Sequence, residues 1–280
     1  MEKIALITDS AGDLGKEILD KYNIHVLPFK IIYKTREFSD GVDITPEEVY
    51  DKIDEEMPTS SLPALIDMED LYEKLKKEGY THVIAVTLSS GLSGIFNALR
   101  LISDNYPEIK SFIFDSRSIS LGEGVLIQKC GEMLEAGKTF EEITKQLPLL
   151  RSRMKVFFVV GTLKYLRRGG RIGRITGAIG EMLNLKPIVT IADDGKYVTY
   201  DKLRGRKQSL RRLEEIVYSL EKPGEVFLMH GRAEEEMRAL GENLKKYKNV
   251  KSLYIGQNIS PVSGVHSGPG LVGVVYLEEE

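Results

Sequence analysis

The chain has 280 residues, 42% hydrophobic and 29% charged, with one cysteine, four histidines and a net charge of −3. That composition supports one large or two ordinary α/β cores and argues against disorder, while the lone Cys130 excludes an internal disulfide and the scattered histidines give no zinc spacing, so no metal or cofactor is expected. The longest apolar runs, residues 156–160 and 270–277, fall far short of the roughly 20 residues that span a bilayer, and residues 1–7 run into strand-like sequence without a signal-peptide pattern, so a cytoplasmic protein with no integral membrane association is expected.

An apolar run at residues 4–8 reads as a buried strand, Asp9-Ser10-Ala11-Gly12-Asp13 as a loop, and residues 14–22 as a helix; residues 25–33 read as a second strand. After a turn at Ser39-Asp40-Gly41, Thr45-Pro46-Glu47-Glu48 supplies an N-cap, a proline at the first helical position and acids in the first turn, which opens a short helix. An amphipathic helix at 68–78, a strand at 82–88, a helix at 93–105, a strand at 111–114 and a long helix at 118–136 follow. This alternation predicts a parallel sheet. The pattern changes near Lys155, where a strand at 155–160 leads into a stretch rich in Gly and Arg. A boundary is placed near residues 148–153, dividing the chain into domains 1–152 and 153–280. In the second domain, residues 187–192 and 196–202 form a hairpin around Asp193-Asp194-Gly195, because Asp-Gly supplies the positive φ of such a turn. A helix at 206–221, a strand at 225–229, a helix at 233–247 and strands at 252–256 and 271–277 complete the reading. The expected fold is α/β with two lobes, a parallel-sheet N-terminal domain and a C-terminal domain with a mixed sheet, and a ligand between them.

Charge is unevenly spread. Residues 151–212 carry ten Arg and six Lys against one Glu and three Asp, a balance of +12 that leaves −15 for the rest of the chain. Such a segment is either a solvated surface or a face that meets something negative. Its run Gly161-Thr162-Leu163-Lys164-Tyr165-Leu166-Arg167-Arg168-Gly169-Gly170-Arg171-Ile172-Gly173 sets cations beside glycines that allow close backbone approach, which suits anion recognition or partner docking. Ser89-Ser90-Gly91-Leu92-Ser93-Gly94 lies where a buried strand turns into a helix, a place where unpaired N–H groups and the helix dipole favour an anion; the plainer reading is that Ser90 or Ser93 caps that helix. Two further hydroxyl clusters, Thr8-Asp9-Ser10 after the first strand and Thr59-Ser60-Ser61 in a proline-flanked loop between two helices, belong to the same lobe. His266 precedes a Gly-Pro-Gly turn, among small residues that give it little to pack against, and reads equally as a ligand contact or a structural histidine.

Taken together, Thr8-Asp9-Ser10, Ser89-Ser90-Gly91-Leu92-Ser93-Gly94, residues 166–173 and His266-Ser267-Gly268-Pro269-Gly270 resemble the DegV family, in this order and over the whole chain. The resemblance implies a non-catalytic fatty acid carrier, the binding subunit that presents a long-chain acyl carboxylate to a separate ATP-dependent fatty acid kinase for acyl phosphate formation. It implies that the carboxylate is held by Ser60, Ser61, Ser93 and His266, with Gly94 in the same turn and Arg171 as partial counter-charge, and that the chain enters an apolar tunnel. Lys202 and Arg204 are then candidates for the kinase-docking surface. The family's loop reads Thr-Ser-Gln-Pro-Ser where this chain has Ser60-Ser61-Leu62-Pro63-Ala64, so the Gln and the last Ser are replaced. A monomer is expected. The rival readings are a serine hydrolase using Ser93 with His266, although Gly91-Leu92-Ser93-Gly94-Ile95 lacks the second glycine of a nucleophile elbow, and a binder of another anionic ligand. Nucleic acid is not expected as a partner, because aromatics do not alternate with the cations and the chain as a whole is acidic.

Overall fold

The computed structural model describes residues 2–175 and 185–280. The basic segment is therefore described except at residues 176–184. In chain order, β1 (Ile4–Asp9) ends in a short 3-10 turn at Ser10–Gly12, followed by α1 (Lys16–Lys21), β2 (Ile24–Leu27), β3 (Lys30–Ile32), β4 (Glu37–Ser39), α2 (Pro46–Lys52), β5 (Thr59–Ser61), α3 (Leu65–Lys77), β6 (His82–Thr87), α4 (Ile95–Ser103), β7 (Lys110–Asp115), α5 (Leu121–Glu135) and α6 (Phe140–Ser152). The second part contains β8 (Met154–Val159), α7 (Lys164–Arg168), β9 (Ile188–Ile191), β10 (Tyr197–Asp201), α8 (Arg206–Tyr218), β11 (Gly224–Gly231), α9 (Glu234–Leu244), β12 (Val250–Asn258), α10 (Pro261–Ser267) and β13 (Leu271–Glu278).

Strands β2-β1-β6-β7 form a parallel sheet, as the strand–helix alternation requires. The second lobe is a six-stranded mixed sheet of order β10-β9-β8-β13-β11-β12, in which only β11 and β12 run parallel. Between the sheets lies α5. Its residues Leu121, Val125, Leu126, Ile127 and Cys130 share one core with Leu6 and Ile84 of the first sheet and Phe158, Phe227 and Val275 of the second. A helix packed on both sides cannot show a single apolar stripe, and α5 is accordingly apolar around most of its circumference.

Several expectations are corrected. The strand expected at 25–33 is two strands in different sheets, β2 pairing with β1 and β3 with β4 and β5; Pro28 between them has no N–H to continue a ladder. The loop expected around Ser60-Ser61 is β5, paired antiparallel to β3. Helix α6 was not anticipated, although Thr139 and Glu142 form a capping box that marks its start. Helix α10, opened by Ser260 and Pro261, was likewise not anticipated. The hairpin around Asp193-Asp194-Gly195 is present as β9 and β10, with Gly195 at φ 76°.

Candidate functional site

A cavity opens between the two sheets, walled by Ala11, Phe29, Leu88 and Leu92 from the first lobe and by Phe158, Leu166, Tyr197, Met229 and Leu271 from the second. The atom-free space it bounds, counted together with the open solvent at its mouth, is about 710 Å³. Its wall is mainly apolar, and the polar groups at one end form a connected chain.

Ser60 Oγ lies 2.7 Å from His266 Nε2. On the other side of the imidazole, Nδ1 abuts Gly169, whose carbonyl accepts from Arg171 Nη1 at 2.7 Å. Arg171 Nε donates to Leu92 O at 3.4 Å, and the next residue, Ser93, lines the same cavity, its Oγ accepting from Ile95 N at 3.3 Å. Ser60, His266, Arg171 and Ser93 are thus brought together from β5, α10, the loop after α7 and the turn before α4. Burial, and secondarily the Arg171 cation, lowers the His266 pKa to about 4, so the imidazole is neutral at pH 7. Among the described residues Nδ1 has no hydrogen-bond partner. The tautomer that fits carries its proton on Nε2 and donates it to Ser60, because an unprotonated Nδ1 suits the nearby cation. The Ser60 hydroxyl proton is then available to an anion, and Ser60, Ser93 and Arg171 can all donate to a single carboxylate.

Other expected site residues lie elsewhere. Successive strand residues point to opposite faces, so Ser61, next to Ser60 on β5, is exposed and bonds the Leu62 carbonyl at 3.3 Å. Gly94 is the N-cap of α4, close to Leu62, and does not line the cavity. Ser93 and His266 do not form the pair that the hydrolase reading needs; the hydrogen-bond partner of His266 is Ser60. His266 is also not short of neighbours, since α10 holds it partly buried against Gly169. Ala64, at the position of the family's second loop Ser, is the N-cap of α3 and offers no side-chain acceptor. Lys202 and Arg204 are exposed beyond β10, away from the cavity wall, with the Arg204 backbone bridged to Leu185. Within the basic segment, Arg174 pairs with Asp194, Arg206 with Glu236 and Arg212 with Asp201.

Thr8-Asp9-Ser10 does not face the ligand end but forms part of a buried acidic network that sequence reasoning missed. Asp9 accepts from Leu88 N at 2.8 Å and Ala11 N at 3.0 Å, and Thr8 Oγ1 donates to Glu123 at 3.1 Å. Asp13 accepts from Ser260 N at 2.8 Å and from the Ser120 hydroxyl; Asp40 accepts from Ser10 Oγ at 2.6 Å and Val262 N at 3.3 Å. Loss of hydration raises all four carboxyls, Asp13 to about 6 and Asp40 to about 8, with neighbouring carboxylates adding to the rise at Asp9, Asp40 and Glu123. In the sequence Asp9, Asp13 and Asp40 read as loop or turn positions and Glu123 as part of a helix, and only their assembly from distant segments makes them a network.

The β9–β10 hairpin closes over the Ser89-Ser90-Gly91 turn. Ser89 Oγ donates to Gly195 O at 2.8 Å, Arg117 Nη1 to Asp193 O at 3.0 Å, and a Cβ on Gly91 would lie 2.6 Å from Asp194 O and Gly195 C. Backbone cannot step aside as a side-chain tip can. Gly91→Ala is expected to cost about 1–3 kcal/mol, a melting temperature lowered by about 3–10 °C for a chain of this size. An unchanged melting temperature in differential scanning calorimetry would show that the hairpin does not bear on the turn.

The DegV family model matches residues 3–279. The chain belongs to the DegV family. A DegV domain-containing protein of Clostridium acetobutylicum is 55% identical over 281 residues, covering 100% of both chains. Among solved structures, DegV of Bacillus subtilis, described as a fatty acid binding protein, superposes with a TM-score of 0.89 at 29% identity over 100% of both chains. A DegV family protein from Thermus thermophilus, whose structure is described in terms of fatty acid binding, gives 0.91 at 28% identity, covering 99% of this chain and 100% of its own. The two-lobed architecture is therefore that of DegV proteins. Among the described residues no helix is long and apolar enough to cross a membrane.

Proposed function

We propose that this protein is a non-catalytic carrier of a long-chain fatty acid, working as a single chain in the cytoplasm, and that it presents the acyl carboxylate to a separate ATP-dependent fatty acid kinase. The observation that carries the reading is the apolar cavity ending in the connected set Ser60, His266, Arg171 and Ser93. An apolar chain ending in one carboxylate matches that division of polarity. The fatty acid binding ascribed to the Bacillus subtilis and Thermus thermophilus relatives supports the same ligand class. Energetically the chain dominates: about ten buried methylenes at about 0.8 kcal/mol each contribute about 8 kcal/mol, whereas the head-group bonds contribute a few. The polar end therefore sets orientation more than affinity. In this reading residues 1–152 carry the head-group hydroxyls and residues 153–280 the basic face.

Hydrolysis is disfavoured by the Ser60–His266 geometry, since an imidazole acting as general base needs its second nitrogen oriented by a partner and Nδ1 has none among the described residues. Native mass spectrometry of the purified protein, followed by denaturing extraction, is expected to find one fatty acid per chain. A protein that is empty and also takes up neither palmitate nor oleate would reject the carrier reading in favour of another anionic ligand. Exposure of Lys202 and Arg204 suits a docking role. Arg204→Glu is expected to abolish kinase-dependent acyl phosphate formation while leaving oleate affinity unchanged; loss of oleate binding would refute that separation of roles.

A further inference from the structure

Helix α10 runs along the cavity, with His266 near its C-terminal end and Ser260 before its N-terminal end. Ile259 N donates to His230 O at 2.8 Å, which sets this part of β11 beside the start of α10, and Met229, the neighbour of His230, lines the cavity. The floor there is a row across the mixed sheet: Phe158 on β8 is paired with Gly273 on β13, and Gly273 with Met229 on β11. Phe158 and Met229 both line the cavity, while the residue between them has no side chain. Leu271 and Val275, two residues to either side of Gly273 on β13, belong to the core on this face, so the glycine leaves a notch in an otherwise continuous apolar floor. The Met229 side chain folds into that notch. A Cβ on Gly273 would lie 2.7 Å from Met229 Cε and 3.2 Å from its Cγ and Sδ.

We propose that Met229 is a movable plug at the distal end of the cavity, and that the notch at Gly273 is its resting place, so that this pair sets the length of acyl chain the protein accepts. The inference rests on the fatty acid reading of the same cavity and adds its specificity. An unbranched thioether side chain has three rotatable bonds and adapts to irregular space, which a branched residue of similar volume does not. With the plug in the notch, the floor is smooth and a longer chain has room. Displaced from the notch, the methionine occupies the space where the terminal methylenes would lie.

Competition of an equimolar mixture of saturated C12 to C20 fatty acids, read by native mass spectrometry, tests this on the full chain. Each methylene gained or lost from burial changes relative occupancy about fourfold. Gly273→Ala is expected to push Met229 toward the ligand and move the occupancy maximum to shorter chains. Met229→Ala removes the plug and is expected to favour the longest chains about 15-fold, two methylenes' worth. The double variant is expected to behave as Met229→Ala alone, because the added Cβ then has nothing to displace. Met229→Leu, which keeps the volume and protects against a variant that fails to fold, is expected to narrow the range of chains bound. Unaltered chain-length profiles in folded Met229→Ala and Gly273→Ala proteins would overturn the proposal, as would a Gly273→Ala shift that persists in full when Met229 is absent. Failure of the unsubstituted protein to take up any fatty acid would sink the carrier reading, and this inference with it.

Discussion

Ser60→Ala is expected to weaken oleate binding about 10- to 100-fold, the loss of one charge-assisted hydrogen bond worth about 1.5–3 kcal/mol. The hydroxyl stands 2.7 Å from His266 Nε2, and the imidazole, neutral at pH 7, is not a second cation beside the ligand; with its proton on Nε2 it donates to Ser60. Removing Ser60 therefore costs the ligand a donor and leaves His266 Nε2–H without its acceptor. The decisive comparison is with oleyl alcohol, which has the same chain and no carboxylate. Isothermal titration calorimetry should find the acid weakened far more than the alcohol. Equal losses would mean that Ser60 only maintains the cavity, and no loss for the acid would remove Ser60 from the head-group site.

The second large effect concerns pH. A carboxyl whose folded-state pKa is raised binds its proton more tightly folded than unfolded, so the stability it contributes is fully present below the unfolded pKa and is lost as pH rises through the folded one. For Asp13 that window runs from about 4 to about 6, and for Asp40 from about 4 to about 8, with Asp9 and Glu123 acting in the same direction. Unfolding free energy is therefore expected to fall by roughly 3–5 kcal/mol between pH 5 and pH 8, opposite to the usual behaviour of salt-bridged carboxylates. Asp40→Asn, which retains an acceptor for Ser10 and Val262, should flatten the upper part of that curve. Urea denaturation at half-unit pH steps measures it, and a stability that rises toward pH 8 would contradict the assignment.

Much of the fold was legible because its signals are local. The alternation of apolar runs with helical periods gives the parallel sheet, and Asp194-Gly195 gives the hairpin. What escaped depends on contacts between distant segments. Residues 25–33 are mostly apolar, and only the separate three-stranded sheet β4-β3-β5 explains why Pro28 divides them. Helix α10 consists largely of small residues, so no periodic stripe announces it; its single cue is Pro261 after Ser260. Ser60 and Ser61 look equivalent as letters, and strand pairing alone decides that one faces the cavity and the other water. Asp9, Asp13 and Asp40 sit beside turn residues, which conceals that Asp9 and Asp40 are buried and that Asp13 and Asp40 bond the start of α10 in the second lobe.

Helix α10 is inserted between strands of the second sheet, yet both its ends are fastened to the first lobe, by Asp13 and Asp40 at one end and by Ser60 at the other, and Tyr50 of α2 packs on Gly264 between them. Seven residues make a rivet about 10 Å long. Lifting α10 off the first lobe breaks these three hydrogen bonds together, two of them to carboxyls, at about 1–2 kcal/mol each. Since each 1.4 kcal/mol slows an event tenfold, departure of cargo by that route is a thousandfold or so slower than with an unfastened helix, by an order-of-magnitude reckoning. For the carrier proposed here, residence times of this kind would take a lipid through dialysis and chromatography, so a preparation from cells is expected to hold the host's own fatty acids until it is deliberately stripped.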